Sequence, residues 1–481
     1  MLRDSGDSEP TRRGFLAALA AGSTPFVTGC IDDLRDDDGS DGTPEPVSDG
    51  TPATPELSQL EEFDTVVDAV ETGADPTGEE PITWLIEEEA TDDTGLLFPE
   101  GRYALGNVEL QDLSNFGLVG TGEATAVLVP AGSADELDDP WIDISGVSDF
   151  LLRDLDFDFT WEGYAGAMSV SAEGDFAVRN VTVDGTYDVD THGFLFDVRS
   201  ADHAGLVENV TAVGAREDGL DTIGIYVGEE HAGELTFREC HIERFSNNGL
   251  YASSPGNHSR EESSEGQDGA VHVIGGVYRN NNISNVRLGS TGSSVRDVSI
   301  LVDEEPPRHP NGLNVRGIWL RGTTDHVVEN CTVTYDADAA MGDGAIIIDE
   351  HTGRSAIQGT HVHVERDDVS PIWALAPTEA VRETGPTGPV FEDVTVTSSA
   401  SGDEGIEIVG RDGTVLRHCC LHTTESTRHG VVFRDSYGCS VRDTTISVTG
   451  QPIVIERGHA TVADTSMSTG EQVDVSDGPC S

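Results

Sequence analysis

A short pattern of alternating apolar and polar residues recurs along most of this chain, each time around a central asparagine or aspartate. Copies read "AVRNVTVDG" from Ala177, "LVENVTAVG" from Leu206, "SVRDVSILV" from Ser294, "VVENCTVTYD" from Val327 and "VFEDVTVTS" from Val390. From Leu152 to Val462 the copies recur on average about every 28 residues. Recurrence at this period indicates a solenoid or a propeller.

Each unit also contains a second short strand that opens with glycine, as in "GFLFDV" at Gly193, "GIYVG" at Gly224 and "GIWLRG" at Gly317. A propeller blade needs about 40 residues and four strands, which a unit of this length cannot supply. Two or three short strands fit one coil of a parallel β-helix, where each strand pairs with its equivalent about 4.8 Å away. We therefore predict an all-β, single-stranded parallel β-helix of about 12 or more coils.

The central asparagine or aspartate of each copy is predicted to belong to the scaffold. It falls at a bend between strands, where a short polar side chain satisfies backbone groups and tolerates a left-handed conformation. Stacked coils would bring these residues into a ladder. The residues concerned are Asn180, Asn209, Asp297, Asn330, Asp393, Asp443 and Asp464.

The charge balance restricts the class of protein. The chain has 89 acidic residues against 27 basic ones, all of them arginine, for a formal net charge of −62. Self-repulsion at this charge destabilises a compact state, and molar salt screens it because the Debye length falls to roughly 3 Å. This composition is typical of a halophile. It also argues against nucleic acid as a partner, because phosphate binding needs clustered cations.

The N-terminus reads as an export signal. "TRRGFL" from Thr11 is typical of a twin-arginine signal, and the apolar run after it is too short to span a bilayer. The run ends in "VTGC", a lipobox pattern with Cys30 as the lipidated residue. We predict a signal peptide at 1–29, an acidic disordered linker at 30–58 and a β-helix domain at 59–481. The domain would be lipid-anchored at the extracellular membrane face.

The remaining cysteines are interpreted by their place in the repeat. Cys240, Cys331 and Cys419 stand where other copies have valine, so they are predicted to face the core as small apolar residues. Cys420, Cys439 and Cys480 could form a disulfide, and their pairing stays open.

The segment before the repeats resembles a known family. It runs from Val66 to Leu105 as "VVDAVETGADPTGEEPITWLIEEEATDDTGLLFPEGRYAL". This order of strand, "GADPTG" turn, amphipathic helix and "FPEGRY" is similar to the N-terminal segment of the pectate lyase superfamily of right-handed parallel β-helices. The resemblance implies a right-handed coil and a short helix, begun near Pro81, that caps the open N-terminal end of the stack.

The resemblance implies that the chain acts on or binds polysaccharides, since the superfamily includes pectate lyases, polygalacturonases, uronan epimerases, phage tailspikes and surface proteins without known activity. Two interpretations stay open. One is a polysaccharide lyase or glycoside hydrolase for a uronic-acid-containing polymer. The other is a non-catalytic surface protein that binds glycans or other surface proteins. Fold alone does not decide between them, and the sequence leaves the oligomeric state open.

The hydrolytic relatives imply that reacting carboxylates lie in the turn before the glycine-opened strand. Those turns here contain Asp190 and His192, then Asp218 and Asp221, and then the pair Asn247 and Asn248 as candidate substrate ligands. Two carboxylates several ångström apart, with one kept protonated by the charge of the other, could do acid and base work. Acidic side chains on solvated turns of a halophilic surface are the alternative interpretation.

A second candidate group lies in the insertion "PPRHPNGLNVRG" from Pro306. Pectate lyases use arginine as a base, so the resemblance makes Arg308 and Arg316 candidate catalytic residues, and Asp343 aligns with Arg316 one coil later. A surface ion pair is the alternative. Calcium stays open as a cofactor, because a calcium site needs clustered carboxylates and this composition supplies them everywhere.

Aromatic residues are few, and some of them are candidates for stacking on sugar rings. Trp161, Tyr164 and Tyr251 are the predicted substrate-binding aromatics, with Trp373 as a further candidate. Trp319, inside "GIWL", is predicted to lie in the core instead.

Overall fold

The structure is a computed structural model that describes residues 63–122, 125–132, 136–138, 140–160, 168–185, 187, 190–214, 218–256, 266–336, 339–402, 404–424 and 428–469. The predicted signal peptide, Cys30 and the linker lie outside these residues, as do Trp161, Tyr164 and Cys480. Their roles stay predictions.

The described residues form forty strands that wind through successive coils, and every strand pair is parallel. The coils have three faces, each a sheet with about one strand per coil. The predicted parallel β-helix is confirmed.

The first sheet contains β5 (Val108–Gln111), the start of β8 (Ile142–Arg153), β10 (Met168–Ala172), β12 (Thr191–Val198), β14 (Thr222–Tyr226), β17 (Asn248–Ala252), β20 (Ser284–Leu288), β23 (Arg316–Leu320), β26 (Gly344–Ile348), β29 (Ser370–Ala374), β32 (Glu404–Val409), β35 (His429–Arg434) and β38 (Ile453–Glu456).

The second sheet contains β1 (Thr65–Asp68), β3 (Thr94–Phe98), β6 (Ser114–Gly120), the end of β8, the first halves of β11 (Phe176–Gly185) and β13 (Ala204–Val213), β15 (Glu234–Arg238), β18 (Ala270–Ile274), β21 (Ser294–Arg296), β24 (His326–Glu329), β27 (Ser355–Gln358), β30 (Val390–Glu392), β33 (Val415–Arg417), β36 (Cys439–Arg442) and β39 (Ala460–Ala463).

The third sheet contains β2 (Thr77–Pro81), β4 (Gly101–Leu105), β7 (Ala126–Pro130), β9 (Leu155–Phe159), the second halves of β11 and β13, β16 (His241–Glu243), β19 (Val277–Arg279), β22 (Ser299–Val302), β25 (Thr332–Tyr335), β28 (His361–Val364), β31 (Thr395–Ser398), β34 (Cys420–Thr423), β37 (Thr445–Val448) and β40 (Ser466–Thr469).

Three short helices interrupt the strands of the described residues: α1 (Ala69–Thr72), α2 (Thr83–Glu89) and α3 (Glu379–Thr384). The predicted capping helix corresponds to α2, which begins two residues after Pro81. Its Leu85 and Ile86 are buried in the same apolar core as the coils. Within the described residues, no helix has both the length and the apolar character needed to cross a bilayer.

The predicted bend residues adopt the left-handed conformation, with φ between 49° and 57° at all seven positions from Asn180 to Asp464. They also form part of a ladder. Asn209 Nδ2 donates to Asn180 Oδ1 at 3.0 Å, and Asn180 Nδ2 donates to Asp154 Oδ1 at 2.7 Å. The recurring pattern is therefore scaffold, as predicted.

Cysteines divide as the repeat predicts, with one correction. Cys240, Cys331 and Cys419 are buried free thiols. Cys439 is also a buried free thiol, so its participation in a disulfide was wrong, because its position in β36 points it into the coil. Cys420 is disulfide-bonded, and its partner is outside the described residues.

Candidate functional site

Two of the predicted acidic turns do stack on one another. Thr191 pairs with Thr222 in neighbouring strands of the first sheet, which brings Asp190 beside Asp221. The backbone N–H of Asp221 donates to Asp190 Oδ1 at 2.9 Å. One coil further, Asn247 Nδ2 donates to Asp221 Oδ1 at 2.6 Å.

The structure adds a residue that sequence spacing did not connect to this turn. His309 Nε2 lies 3.1 Å from Asp221 Oδ2, and both side chains are largely buried, with 10% and 16% exposed. The N–H of Asn311 donates to His309 Nδ1 at 3.1 Å, so Nε2 carries the hydrogen that Asp221 accepts. Burial raises the pKa of Asp221, but hydrogen bonds from His309 and Asn247 outweigh it and leave the pKa lowered. Asp221 is therefore an ionised acceptor.

Asp218 contacts the insertion that contains Arg308. Its side chain is 66% exposed, and its Oδ1 accepts the backbone N–H of Arg308 at 2.9 Å. The Arg308 guanidinium is half exposed and pairs with Glu305 at 2.7 Å. These contacts fasten the insertion to the turn. The hydrogen bonds that Asp190 and Asp218 accept from backbone N–H groups each use only Oδ1. The catalytic roles of Asp190, Asp218 and Arg308 stay predictions.

His192 packs against an aromatic ring of the next coil. Its ring centroid lies 4.7 Å from that of Tyr226. Burial lowers the pKa of His192 to about 4, although the charge of Asp221 opposes this shift. Burial also raises the pKa of Tyr226 to about 12. At neutral pH both groups are uncharged, which leaves a neutral imidazole beside a protonated phenol.

The outer face of the first sheet carries a second group of side chains, which sequence analysis had not assembled. The register places one outward residue per coil in a single row: Leu195, Tyr226, Tyr251, Arg287, Trp319, Ile347, Trp373 and Glu407. The Tyr226 and Tyr251 ring centroids are 5.3 Å apart, and the Arg287 guanidinium lies 3.9 Å from the Tyr251 ring centroid. Arg287 also donates to the Tyr251 hydroxyl at 2.9 Å.

Three arginines surround the Trp319 ring. The guanidinium carbons of Arg316, Arg287 and Arg321 lie 4.1, 4.7 and 4.9 Å from it. We call Tyr251, Arg287, Arg316, Trp319 and Arg321 the arginine–aromatic platform. Arg287 and Arg321 are almost fully buried, whereas Tyr251, Arg316 and Trp319 are partly exposed. Cation–π contacts of this kind are stronger when desolvated.

The core position predicted for Trp319 was wrong. Ile318 and Leu320 fill the core, so the two-residue period of β23 turns the intervening side chain outward. Trp319 Nε1 instead donates to Asp349 Oδ2 at 3.2 Å.

Two carboxylates, those of Asp343 and Asp349, contact residues of the platform. Arg316 is ion-paired with Asp343 and donates to the Ile283 carbonyl at 3.1 Å, and burial lowers the pKa of Arg316. Asp349 accepts from His351 Nδ1 at 2.7 Å. Burial raises the pKa of Asp349, but the His351 hydrogen bond and the Arg321 charge outweigh it and bring the pKa to about 2.

One acid on the same face behaves differently. Asp197 is almost fully buried at the end of β12, where its Oδ1 accepts the Gly228 N–H at 2.8 Å. Burial raises the pKa of Asp197 to about 6, although that hydrogen bond and the Arg199 charge oppose the shift. Sequence analysis did not single out Asp197, although it lies in the quoted pattern "GFLFDV".

The remaining predicted substrate ligands are divided between turn and platform. Tyr251 belongs to the platform. Asn247 is held by Asp221, and Asn248 is buried, with its Nδ2 donating to Asn247 Oδ1 at 2.5 Å. Asn248 Oδ1 has no hydrogen-bond partner among the described residues.

A group that could hold a metal ion lies elsewhere. Glu392, Asp393 and His418 each place a ligand atom within 4.8 Å of the others, at the bend between the second and third sheets. Glu392 also pairs with Arg417 at 2.5 Å. This group does not lie on the first sheet, where the candidate catalytic residues are. It does not test the prediction of calcium as a cofactor, which stays open.

Comparisons with known proteins give distant structural likenesses. No family model and no curated protein matches the sequence. The A-module of the Azotobacter vinelandii mannuronan C-5 epimerase AlgE6 is 14% identical, with a TM-score of 0.40, over 84% of this chain and 100% of that one. The Streptococcus pneumoniae surface protein and adhesin PfbA is 10% identical, with a TM-score of 0.42, over 84% and 97%. A PL6 alginate lyase in complex with a trisaccharide is 11% identical, with a TM-score of 0.40, over 87% and 89%. Likenesses this distant carry no argument about function.

Proposed function

We propose that the protein is a carbohydrate-active surface protein that binds an anionic polysaccharide along the outer face of its first sheet. The arginine–aromatic platform carries this proposal. Three guanidinium groups surround one indole ring. Asp343 is ion-paired with Arg316, and the charge of Asp349 interacts with that of Arg321, so two of the three positive charges are offset. A cationic spot in a chain of net charge −62 would concentrate anions where the rest of the surface repels them.

A uronic-acid-containing polymer fits this chemistry. Each uronate unit offers a ring that can stack on an aromatic face and a carboxylate that the planar guanidinium fork can bind with two hydrogen bonds. Aromatic and arginine side chains recur at one row position from Tyr226 to Trp373, so the row supplies several subsites along an extended polymer.

Cleavage of the bound polymer, by elimination or hydrolysis, is the second candidate function. One observation favours it: His192, Asp197 and Tyr226 lie on neighbouring strands of the same face and all have shifted pKa values. Such clusters are typical of catalytic sites. Arg316, one of the two arginines predicted as a catalytic base, stays a candidate because it belongs to the platform.

The cellular location belongs to the same proposal. A twin-arginine signal and a lipidated Cys30 would hold the domain at the outer membrane face, where polysaccharides are found. One lipid chain gives weak anchoring by itself, so a bound surface polymer would add to retention.

Binding is tested with residues 31–481 in molar salt, titrated in a calorimeter with polygalacturonate, alginate and neutral dextran. Trp319→Ala removes the stacking surface that the three arginines share. We expect the wild type to bind the two polyuronates and not dextran, and the dissociation constant of Trp319→Ala to rise about tenfold, which corresponds to about 1.4 kcal/mol.

The matched control is Trp84→Ala, because Trp84 is an exposed tryptophan on α2 at the N-terminal end of the stack, whereas Trp319 lies on β23. It should bind as the wild type does. Equal affinity of Trp319→Ala and Trp84→Ala, or equal binding of neutral and acidic polymers, contradicts the proposal.

Catalysis has a separate readout. New reducing ends together with ultraviolet absorbance from unsaturated product would indicate a lyase, and reducing ends alone a hydrolase. His192→Gln should then abolish turnover while the affinity stays within about twofold of wild type. Binding without either product would leave the polysaccharide-binding function alone.

A further inference from the structure

The described residues contain four sequons of the form Asn-x-Ser/Thr, and the structure separates them by accessibility. Their asparagines are Asn180, Asn209, Asn282 and Asn330, followed two residues later by Thr182, Thr211, Ser284 and Thr332. Such a sequon is the acceptor for N-linked glycosylation, which adds a bulky sugar chain and therefore needs a surface position. Asn282 does not meet this need, because it is fully buried and its Nδ2 donates to the Gly312 carbonyl at 2.8 Å.

The other three asparagines lie in the ladder of bend residues between the second and third sheets, and their side chains are exposed. Two of them use their amide nitrogens within the ladder. Asn180 Nδ2 donates to Asp154 at 2.7 Å, and Asn209 Nδ2 donates to Asn180 at 3.0 Å. In the described part of the chain, no acceptor engages Asn330 Nδ2. Asn330 therefore has the amide that is both exposed and unengaged.

The coil after Asn330 leaves room beside its side chain. In the register of β24 and β27, Gly359 is the bend residue that follows Asn330, and its φ is 53°. A Cβ atom on Gly359 would come within 2.4 Å of Asn330 Oδ1, so a side chain at this position would crowd the amide. The bend residues that follow Asn180 and Asn209 are Asn209 and Glu239, which both carry side chains.

The hydroxyl residue of this sequon is accessible as well. Thr332 is exposed at the start of β25, whereas Thr182 and Thr211 are partly buried. Cys331, between Asn330 and Thr332, is buried in the core. A sequon is defined by its amide and its hydroxyl together. Among the four sequons in the described residues, this is the one in which both side chains are exposed.

We propose that Asn330 is an N-glycosylation site and that Asn282 is not. The co-substrate is an oligosaccharide joined through its C1 to a lipid phosphate. Asn330 Nδ2 forms the new bond to C1 and loses one proton, the bond from C1 to the phosphate oxygen breaks, and the lipid phosphate leaves. The sugar chain would then stand at the bend between the second and third sheets, whereas the arginine–aromatic platform lies on the first. The inference rests on the proposed export, because N-glycosylation modifies exported proteins.

Peptide mass spectrometry of the full chain, expressed in a halophilic host, tests the proposal. Cleavage after arginine gives one peptide with Asn330, residues 322–354, and another with Asn282, residues 280–287. We expect the mass of peptide 322–354 to increase by that of a glycan in most copies, and the mass of peptide 280–287 to stay unchanged. Asn330→Asp keeps a residue type that other bends tolerate, and Thr332→Val keeps the asparagine but removes the hydroxyl. Both variants should abolish the glycan.

Asp38→Asn is the positive control, because it creates an Asn-Gly-Ser sequon in the predicted linker. The host is one that modifies this control, so that failure at Asn330 is distinguishable from failure of the proposed export. An unmodified peptide 322–354 in that host overturns the proposal. Equal modification of peptides 322–354 and 280–287 also overturns it, because accessibility in the folded coils would then not select the site. A glycan that persists in Thr332→Val would show that the sequon is not what is recognised.

Discussion

The carboxyl group of Asp197 is harder to ionise in the folded protein than in water. Its pKa rises from 3.8 in the unfolded chain to about 6, so the native state binds more protons than the unfolded state between these values. Its contribution to stability is favourable at low pH and is lost as the pH rises through about 4 to 6. The loss amounts to about 3 kcal/mol, since one pKa unit corresponds to about 1.36 kcal/mol.

Asp197→Asn should therefore stabilise the protein at pH 8 and leave its stability almost unchanged at pH 4. The amide keeps an oxygen that can accept the Gly228 N–H. Denaturant unfolding in molar salt at both pH values measures the effect, with the exposed Asp202→Asn as control. A pH-independent gain would mean that the amide packs better and that titration plays no part.

Residues that serve local geometry could be predicted, and residues that meet across long insertions could not. Asn180 and its equivalents followed from a bend that only a few residue types tolerate. The core prediction for Trp319 was wrong because a run of apolar residues such as "GIWL" does not indicate which alternate side chains face the core. The contact of His309 with Asp221 joins parts of the chain far apart in sequence, and no periodic pattern encodes it.

At the scale of elements, Arg411 ties several bends together. It is fully buried, and its guanidinium donates to the main-chain carbonyls of Asp349, Leu375, Thr352 and Thr387 at 2.7 to 2.9 Å. Burial lowers the pKa of Arg411 to about 9, which still leaves it charged at neutral pH. These carbonyls belong to the turns that follow β26 and β29 and to the segment after α3.

Arg411→Met should lower the free energy of unfolding by about 3 to 5 kcal/mol, because several buried carbonyls lose their donor at once. Arg411→Lys should recover only part of it, since an ammonium group has fewer donors and cannot reach as many acceptors. Equilibrium urea unfolding measures both, with the exposed Arg457→Met as control. If the free energy of unfolding of Arg411→Met falls by less than about 1 kcal/mol, water replaces the guanidinium as the donor to these carbonyls.

The strands themselves were predictable because each coil repeats the same alternation of apolar and polar residues. The platform was not predictable, although Trp319 and Arg321 stood in the recognised pattern "GIWLRG". Its assembly depends on register between coils of unequal length: β17, β20 and β23 bring Tyr251, Arg287 and Trp319 into one row. Insertions of variable length hide that alignment until the strand pairs are known.

At the scale of the whole molecule, the excess of negative charge is the feature that links composition to stability. Because the chain has 89 acidic residues and 27 basic ones, most carboxylates cannot each have their own cationic partner. The remaining carboxylates repel one another over the surface of the stacked coils. Salt screens this repulsion between carboxylates, because the Debye length falls from about 10 Å at 0.1 M salt to roughly 3 Å at 1 M. Unfolding spreads the same charges apart, so low salt favours the unfolded chain.

We expect the melting temperature to rise steeply between 0.1 and 1 M sodium chloride and then to level off, since little repulsion is left to screen. Circular dichroism at the β-sheet minimum follows the transition. Sucrose at matched water activity is the control, because it strengthens burial without screening charge. A rise in sucrose equal to that in salt would attribute the effect to preferential exclusion. A flat response to salt would mean that the acidic surface is neutralised within the fold, and the halophilic interpretation of the composition would then be wrong.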